Sequence, residues 1–219
     1  MNVYGRELTP AEIAAGAHRD FVGGLWDEVG RLQFDFLRER GLAPSHRLLD
    51  VGCGALRGGV HFVRYLEPGR YHGLDLNASL LDAGRRELDA AGLAERDARL
   101  VADDAFRVHR FGTTFDVAIA VSVFTHLPMN AIVRCLAEVG ATLAPGAAFY
   151  ATYFEAPHPA WLAALAHAPG DIVTHFDSDP FHYAFDEIAS LARFAGLSAT
   201  RIGDWGHPRG QRMAAFHAA

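Results

Sequence analysis

Cysteine is nearly absent from these 219 residues: only Cys53 and Cys135 occur, with no CxxC pair. That argues against both a disulfide framework and a structural zinc site. No apolar run approaches the ~20 residues a membrane span requires. The start MNVYGRELTP has no basic segment followed by an apolar stretch, so no secretory signal is read there. An excess of positive charge is also missing. The net charge is −6 and the arginines are scattered, which removes any electrostatic pull toward nucleic acid or an anionic membrane. No internal repeat or low-complexity linker interrupts the chain. A reducing, cytoplasmic setting is expected, with neither nucleic acid nor membrane as partner.

What is present suffices for one sizeable core, since half of the residues are apolar. Residues 10 to 40 read as two helices. Pro10 follows Thr9 as N-cap, and Leu25, Val29, Leu32, Phe36 and Leu37 recur at helical spacing until Gly41. Strands then alternate with helices. The strands are expected at Arg47–Val51, Tyr71–Leu76, Arg99–Ala102, Phe115–Val121 and Ala147–Tyr153. The helices are expected at Ala55–Leu66, Ser79–Ala91 and Asn130–Leu143. This alternation predicts a doubly wound α/β fold with a parallel sheet and right-handed crossovers. After Pro157 the pattern loosens. Trp161–His167 reads as a short helix, Asp186–Ala195 as a better one, and Leu197–Asp204 and Gln211–His217 as two last strands.

The segment Leu48–Gly59 (LLDVGCGALRGG) carries the strongest chemical signal. Ligands of open α/β sheets bind beyond the carboxyl ends of strands, and glycines there let the main chain approach them. Three details separate it from a dinucleotide loop. Asp50 lies inside the first strand, the third glycine falls late at Gly58, and the third strand ends in Asp103-Asp104.

In order and spacing, LLDVGCG, GLDLN (73–77), VADDAF (101–106), FDVAIAVSVFTHLP (115–128) and LAPGAAFY (143–150) resemble the motif series of class I S-adenosylmethionine-dependent methyltransferases. The resemblance covers roughly residues 45 to 155. It implies a mostly parallel seven-stranded sheet with a final antiparallel strand and helices on both faces. A helical cap at residues 1–44 would precede a cofactor-binding domain at 45–219.

The resemblance also implies roles. Gly52, Cys53 and Gly54 line the methionine part of S-adenosylmethionine, and Asp50 orients its amino group. Asp75, with Leu76 beside it, takes the ribose hydroxyls. Asp104 or Asp103 accepts from the adenine amino group, with Phe106 or Ala105 against the ring. Ser122 and Val123 complete the methionine pocket. Arg57 either reaches the methionine carboxylate or sits on a solvated helix face. Cys53 is expected to pack rather than to act as a nucleophile.

A hydroxyl or ammonium acceptor must lose a proton, and histidine is the usual base near neutrality. His126, just past the fourth strand, is the first candidate, with His182 and Tyr183 next. Trp26, Tyr153, Trp205, His207 and Arg209 are candidate contacts for a small-molecule acceptor. Gly23-Gly24 suggests a hinge for a segment that closes over the cofactor. The run His175–Asp179 is not expected to hold a catalytic metal. The competing classes are a nicotinamide-dependent oxidoreductase and a non-catalytic cofactor-binding regulatory module. The sequence also admits a homodimer.

Overall fold

Thr9 starts the first helix. Its side chain accepts from the Glu12 N–H while the Glu12 carboxylate accepts back from the Thr9 N–H, a capping box with Pro10 at the first helical position. Where the spacing predicts two helices before the sheet, the structure has three: α1 (Pro10–Ala14), α2 (Ala17–Phe21) and α3 (Trp26–Glu39). Gly16, Gly23 and Gly24 all take positive φ, which breaks the helical path at both junctions. The computed structural model describes residues 3–157 and 162–218. These cluster into two compact units, one reaching Arg107 and the other starting at Val108.

The first unit contains α1 to α3 and three parallel strands. These are β1 (Leu48–Val51), β2 (Tyr71–Asp75) and β3 (Arg99–Ala102), in spatial order β3-β2-β1. Every residue of β1 and β2 is buried, as a strand covered on both faces requires. The crossovers are α4 (Gly59–Tyr65) and α5 (Ala78–Ala90). α4 begins later than the expected Ala55. Leu56 sits fully buried at φ +67, a conformation no helix can include, so residues 54 to 58 form turns instead.

The second unit pairs β4 (Phe115–Ala120) in parallel with β5 (Leu143–Glu155). β10 (Arg212–Ala218) runs antiparallel to both β5 and β9 (Leu197–Asp204). Its helices are α6 (Met129–Gly140) and α7 (Phe185–Phe194). β5 is longer than expected and contains Pro145-Gly146. There its pairing with β4 skips from Phe115↔Leu143 to Val117↔Ala148, an irregularity that accommodates proline.

The short helix expected at Trp161–His167 is corrected in part, with Trp161 itself outside the described residues. Leu165–His167 is strand β6, paired antiparallel with β7 (Ile172–Thr174). Its backbone groups are satisfied across a hairpin rather than along a helix, and no local periodicity announces that. A two-residue strand, β8 (His182–Tyr183), then joins the end of β5 in parallel. Leaving aside β8 and the separate β6–β7 hairpin, the strands make up a mostly parallel seven-stranded sheet in which, among the described residues, β10 is the antiparallel member. No described helix is long and apolar enough to cross a membrane.

Candidate functional site

In the first unit the glycine turn is tied to β2. Gly52 and Cys53 donate their N–H groups to the Leu74 carbonyl at 2.7 and 3.1 Å, and Gly52 and Gly54 take positive φ to do so. The Asp75 carboxylate then spans two backbones: Gly54 N–H donates to Oδ2 at 2.8 Å and Asn77 N–H to Oδ1 at 2.9 Å. Burial pushes the Asp75 carboxyl above its ordinary value, while these N–H donors hold it back. Leu76, next in the chain, is 43% exposed, an apolar surface at the end of β2.

Asp50 lies beneath this loop. Its Oδ2 accepts from the Tyr71 hydroxyl at 2.7 Å. Burial pushes the carboxyl up to about 7, and the nearby Asp75 charge pushes the same way. Cys53 packs so closely on Gly73 that a Cβ there would lie 2.8 Å from its sulfur. Burial holds its thiol well above the usual range.

The acid pair after β3 divides its work. Asp103 is buried and accepts from the N–H groups of Ala105 and Arg107 at 2.9 and 3.1 Å and from Arg107 Nε at 2.8 Å. It caps the turn. The Asp104 side chain is 83% exposed. Phe106, at φ +58, and Ala105 are half-buried. Glycine turn, strand-end carboxylates as acceptors and an apolar side chain together suit a ligand with an amino acid at one end and a nucleoside at the other.

Arg57 reaches back to the N-terminal helices. Its Nη1 donates to the carbonyls of Gly24 at 3.0 Å and Val22 at 3.3 Å, fastening the α2–α3 turn onto the glycine turn. Val22 covers Gly54, whose added Cβ would lie 3.2 Å from it. Trp26, Phe21 and Val22 pack on a buried cluster of Leu8, Ile13, Ala55, Leu80 and Ala83.

The second unit presents a different chemistry. Ser122, at φ +59, donates its N–H to Thr152 Oγ1 at 2.7 Å. Thr152 Oγ1 donates to Gln211 Oε1 at 2.7 Å, and Gln211 Nε2 returns to Ser122 Oγ at 2.9 Å. Neither Thr152 nor Gln211 stands out in the sequence. The only sequence signal was a hydroxyl inside the apolar run of β5. Val123 is half-buried beside this ring of bonds. Trp205 Nε1 donates to the Gln211 carbonyl, and its ring stacks on His207 at 5.4 Å. His207 is buried, and its Nδ1 accepts from the Arg209 N–H at 3.2 Å. Arg209 packs its backbone against Gly170.

His126 ends the short helical turn Phe124–His126, half-buried, with Nδ1 2.5 Å from Asp179 Oδ1. His182 is 1% exposed. Its Nδ1 meets Thr174 Oγ1 at 2.7 Å, and that hydroxyl also meets His167 Nε2 at 2.7 Å. Burial pushes His167 down to about 4. Tyr183 is buried, and its hydroxyl donates to the Leu127 carbonyl at 2.5 Å. Tyr153 is buried, which raises its phenol well above the usual value. The structure thus brings Tyr183 to the backbone beside His126 and Trp205 to His207.

Residues 49–149 match the family model described as a methyltransferase domain. The chain is 34% identical to the fatty-acid O-methyltransferase of Mycolicibacterium smegmatis over 56% of its own length and 43% of that protein. It is 31% identical to the ubiquinone biosynthesis O-methyltransferase of Hahella chejuensis over 59% of its length and 52% of that protein. The chain therefore spans about half the length of the curated relatives it matches. The solved structure of an S-adenosylmethionine-dependent methyltransferase from Clostridium acetobutylicum shares the fold, with a TM-score of 0.69 at 11% identity, covering 96% of this chain and 100% of that one. Just under half of the chain, residues 49–149, thus resembles a methyltransferase domain, and the chain as a whole shares the fold of that solved structure.

Proposed function

We propose that the chain transfers a methyl group from S-adenosylmethionine to an oxygen or nitrogen of a small molecule, without a metal and with His126 removing the acceptor's proton. The observation that carries this reading is the strand-end set of the first unit: Gly52–Gly54, buried Asp50 and Asp75, and exposed Asp104. In it Asp75 takes the ribose hydroxyls, Asp104 the adenine amino group, and Asp50 the methionine ammonium. Leu76, Ala105 and Phe106 supply apolar surface for the base. Ser122 and Val123 are assigned to the methionine end, and Trp205, His207 and Arg209 to the acceptor.

S-adenosylmethionine supplies a sulfonium methyl. The acceptor lone pair bonds to its carbon as the carbon–sulfur pair returns to sulfur. The chain's own task is to align the acceptor, exclude water and take a proton, a positioning effect worth several kcal/mol. Both curated relatives are named as O-methyltransferases, which favours oxygen. The net charge of −6 favours a small acceptor over nucleic acid.

Titration calorimetry with S-adenosylhomocysteine and with NADH tests the cofactor. Binding of the first and not the second is expected, and the reverse would overturn the reading. Radiolabelled methyl transfer into a metabolite extract then separates an enzyme from a regulatory module.

A further inference from the structure

Three consecutive residues of the second unit are each held by one short segment that follows the β6–β7 hairpin. The Thr125 carbonyl accepts from the Phe181 N–H at 2.7 Å. His126 Nδ1 meets Asp179 Oδ1 at 2.5 Å. The Leu127 carbonyl accepts from the Tyr183 hydroxyl at 2.5 Å. His126 is therefore fixed at its ring and through the backbone on both sides. Both partners keep some exposure, 20% for the His126 side chain and 23% for that of Asp179, so they are reachable. The neighbouring candidates are otherwise committed. His182 is buried with Nδ1 on Thr174, and the Tyr183 hydroxyl is used to support the turn.

A carboxylate on Nδ1 selects one tautomer. It accepts the Nδ1–H and so puts the ring's lone pair on Nε2, and it stabilises the imidazolium that forms when Nε2 takes a proton. Such an arrangement serves an acceptor that must lose a proton. A fatty-acid carboxylate is already ionised near neutrality and needs no base.

We propose that Asp179 is the positioning residue that makes His126 a general base, and that the acceptor is accordingly a hydroxyl or ammonium compound rather than a carboxylate. The proposal rests on the methyl-transfer reading above. The methyl replaces the acceptor's proton, the proton moves to His126 Nε2 with Asp179 as counter-charge, and solvent then takes it.

The tautomer is read first, by nitrogen NMR of the histidine rings in the protein without cofactor. An Nδ1-protonated His126 is expected, with that preference lost in Asp179→Asn and kept in Asp179→Glu. An Nε2-protonated ring, or one unchanged in Asp179→Asn, overturns the proposal whether or not the cofactor reading holds. Calorimetry with S-adenosylhomocysteine tests that reading separately, and its affinity should be the same in all variants.

Turnover is then compared with catechol, octylamine and octanoate as probes. Transfer to catechol or octylamine should fall ~100-fold or more in kcat for His126→Ala and at least ~10-fold for Asp179→Asn, with partial recovery in Asp179→Glu. Octanoate as the preferred acceptor, methylated equally by wild type and His126→Ala, would overturn the proposal.

Discussion

The two units of this chain differ in how far apart in sequence their chemical partners lie. In the first, the bonds that shape the site are the shorter ones: Gly54 to Asp75 and Tyr71 to Asp50 each span 21 residues, Asp103 caps its own turn within four, and Arg57 reaches 33 and 35 residues back. In the second, His126 finds Asp179 53 residues away, and Ser122 finds Gln211 89 residues away. A cofactor common to a family can be met by one βαβ neighbourhood, whose spacing is constrained by the fold. The contacts proposed for the acceptor come from the segment that follows the β6–β7 hairpin and from the turn before β10. The first unit is built from carboxylates and backbone N–H groups, the second from histidines and hydroxyls.

The comparison breaks if variants of the two units alter the same quantity. Asp75→Ala should have the largest effect. It removes a buried carboxylate that holds Gly54 and Asn77 and is assigned to the ribose. S-adenosylhomocysteine should bind more weakly by at least about 1.5 kcal/mol, roughly tenfold. The orphaned N–H groups should also cost about 2 kcal/mol of stability, or several degrees in Tm. Asp75→Asn keeps an acceptor oxygen and should lose less of both. His126→Ala, measured alongside, should leave that affinity untouched. Wild-type affinity in Asp75→Ala would mean that the ribose is held elsewhere.

That contrast also explains what was legible. β3 and β9 fall where the pattern puts them, because strand alternation and turn residues are local signals. The sequence does not divide the roles of Asp103 and Asp104, since both acids suit a turn and only burial separates them. For Arg57 the sequence suggests only ligand or solvent as neighbours. Its Nη1 also grips Val22 and Gly24, and nothing local in the sequence shows that this turn lies within its reach. Leu56 at φ +67 shortens α4 although leucine is a good helix former, a case of packing overriding propensity. β6 and β8 are too short to show a period, so the segment that delivers Asp179 to His126 was the least readable part of the chain.

Gln211→Leu sharpens the comparison at intermediate size. The amide satisfies the Thr152 and Ser122 hydroxyls together, so an isosteric apolar side chain strands buried polar atoms at a cost of about 1–3 kcal/mol. Thermal unfolding should show a Tm lower by several degrees. Because the ring of bonds fixes the left-handed Ser122, turnover should drop as well, without the tenfold affinity loss of Asp75→Ala. An unchanged Tm would mean that other partners replace the amide.

The smallest effect is a pH dependence belonging to the first unit alone. Burial, with Asp75 nearby, raises the Asp50 carboxyl from its ordinary 3.8 to about 7, and the Tyr71 hydroxyl opposes that rise. A raised carboxyl binds its proton more tightly in the folded than in the unfolded state. Its contribution to stability is therefore full below about pH 4 and lost as pH rises through about 7. Cofactor binding has the opposite sign. An ammonium beside Asp50 prefers the ionised carboxylate, so S-adenosylhomocysteine should bind about tenfold more weakly at pH 6 than at pH 8, about 1.4 kcal/mol. Asp50→Asn should flatten that slope. Tyr71→Phe, which removes the donor favouring the ionised form, should move its midpoint upward. Equal wild-type affinity at both pH values would show that Asp50 does not meet the ammonium, and its buried bond to Tyr71 would then be structural.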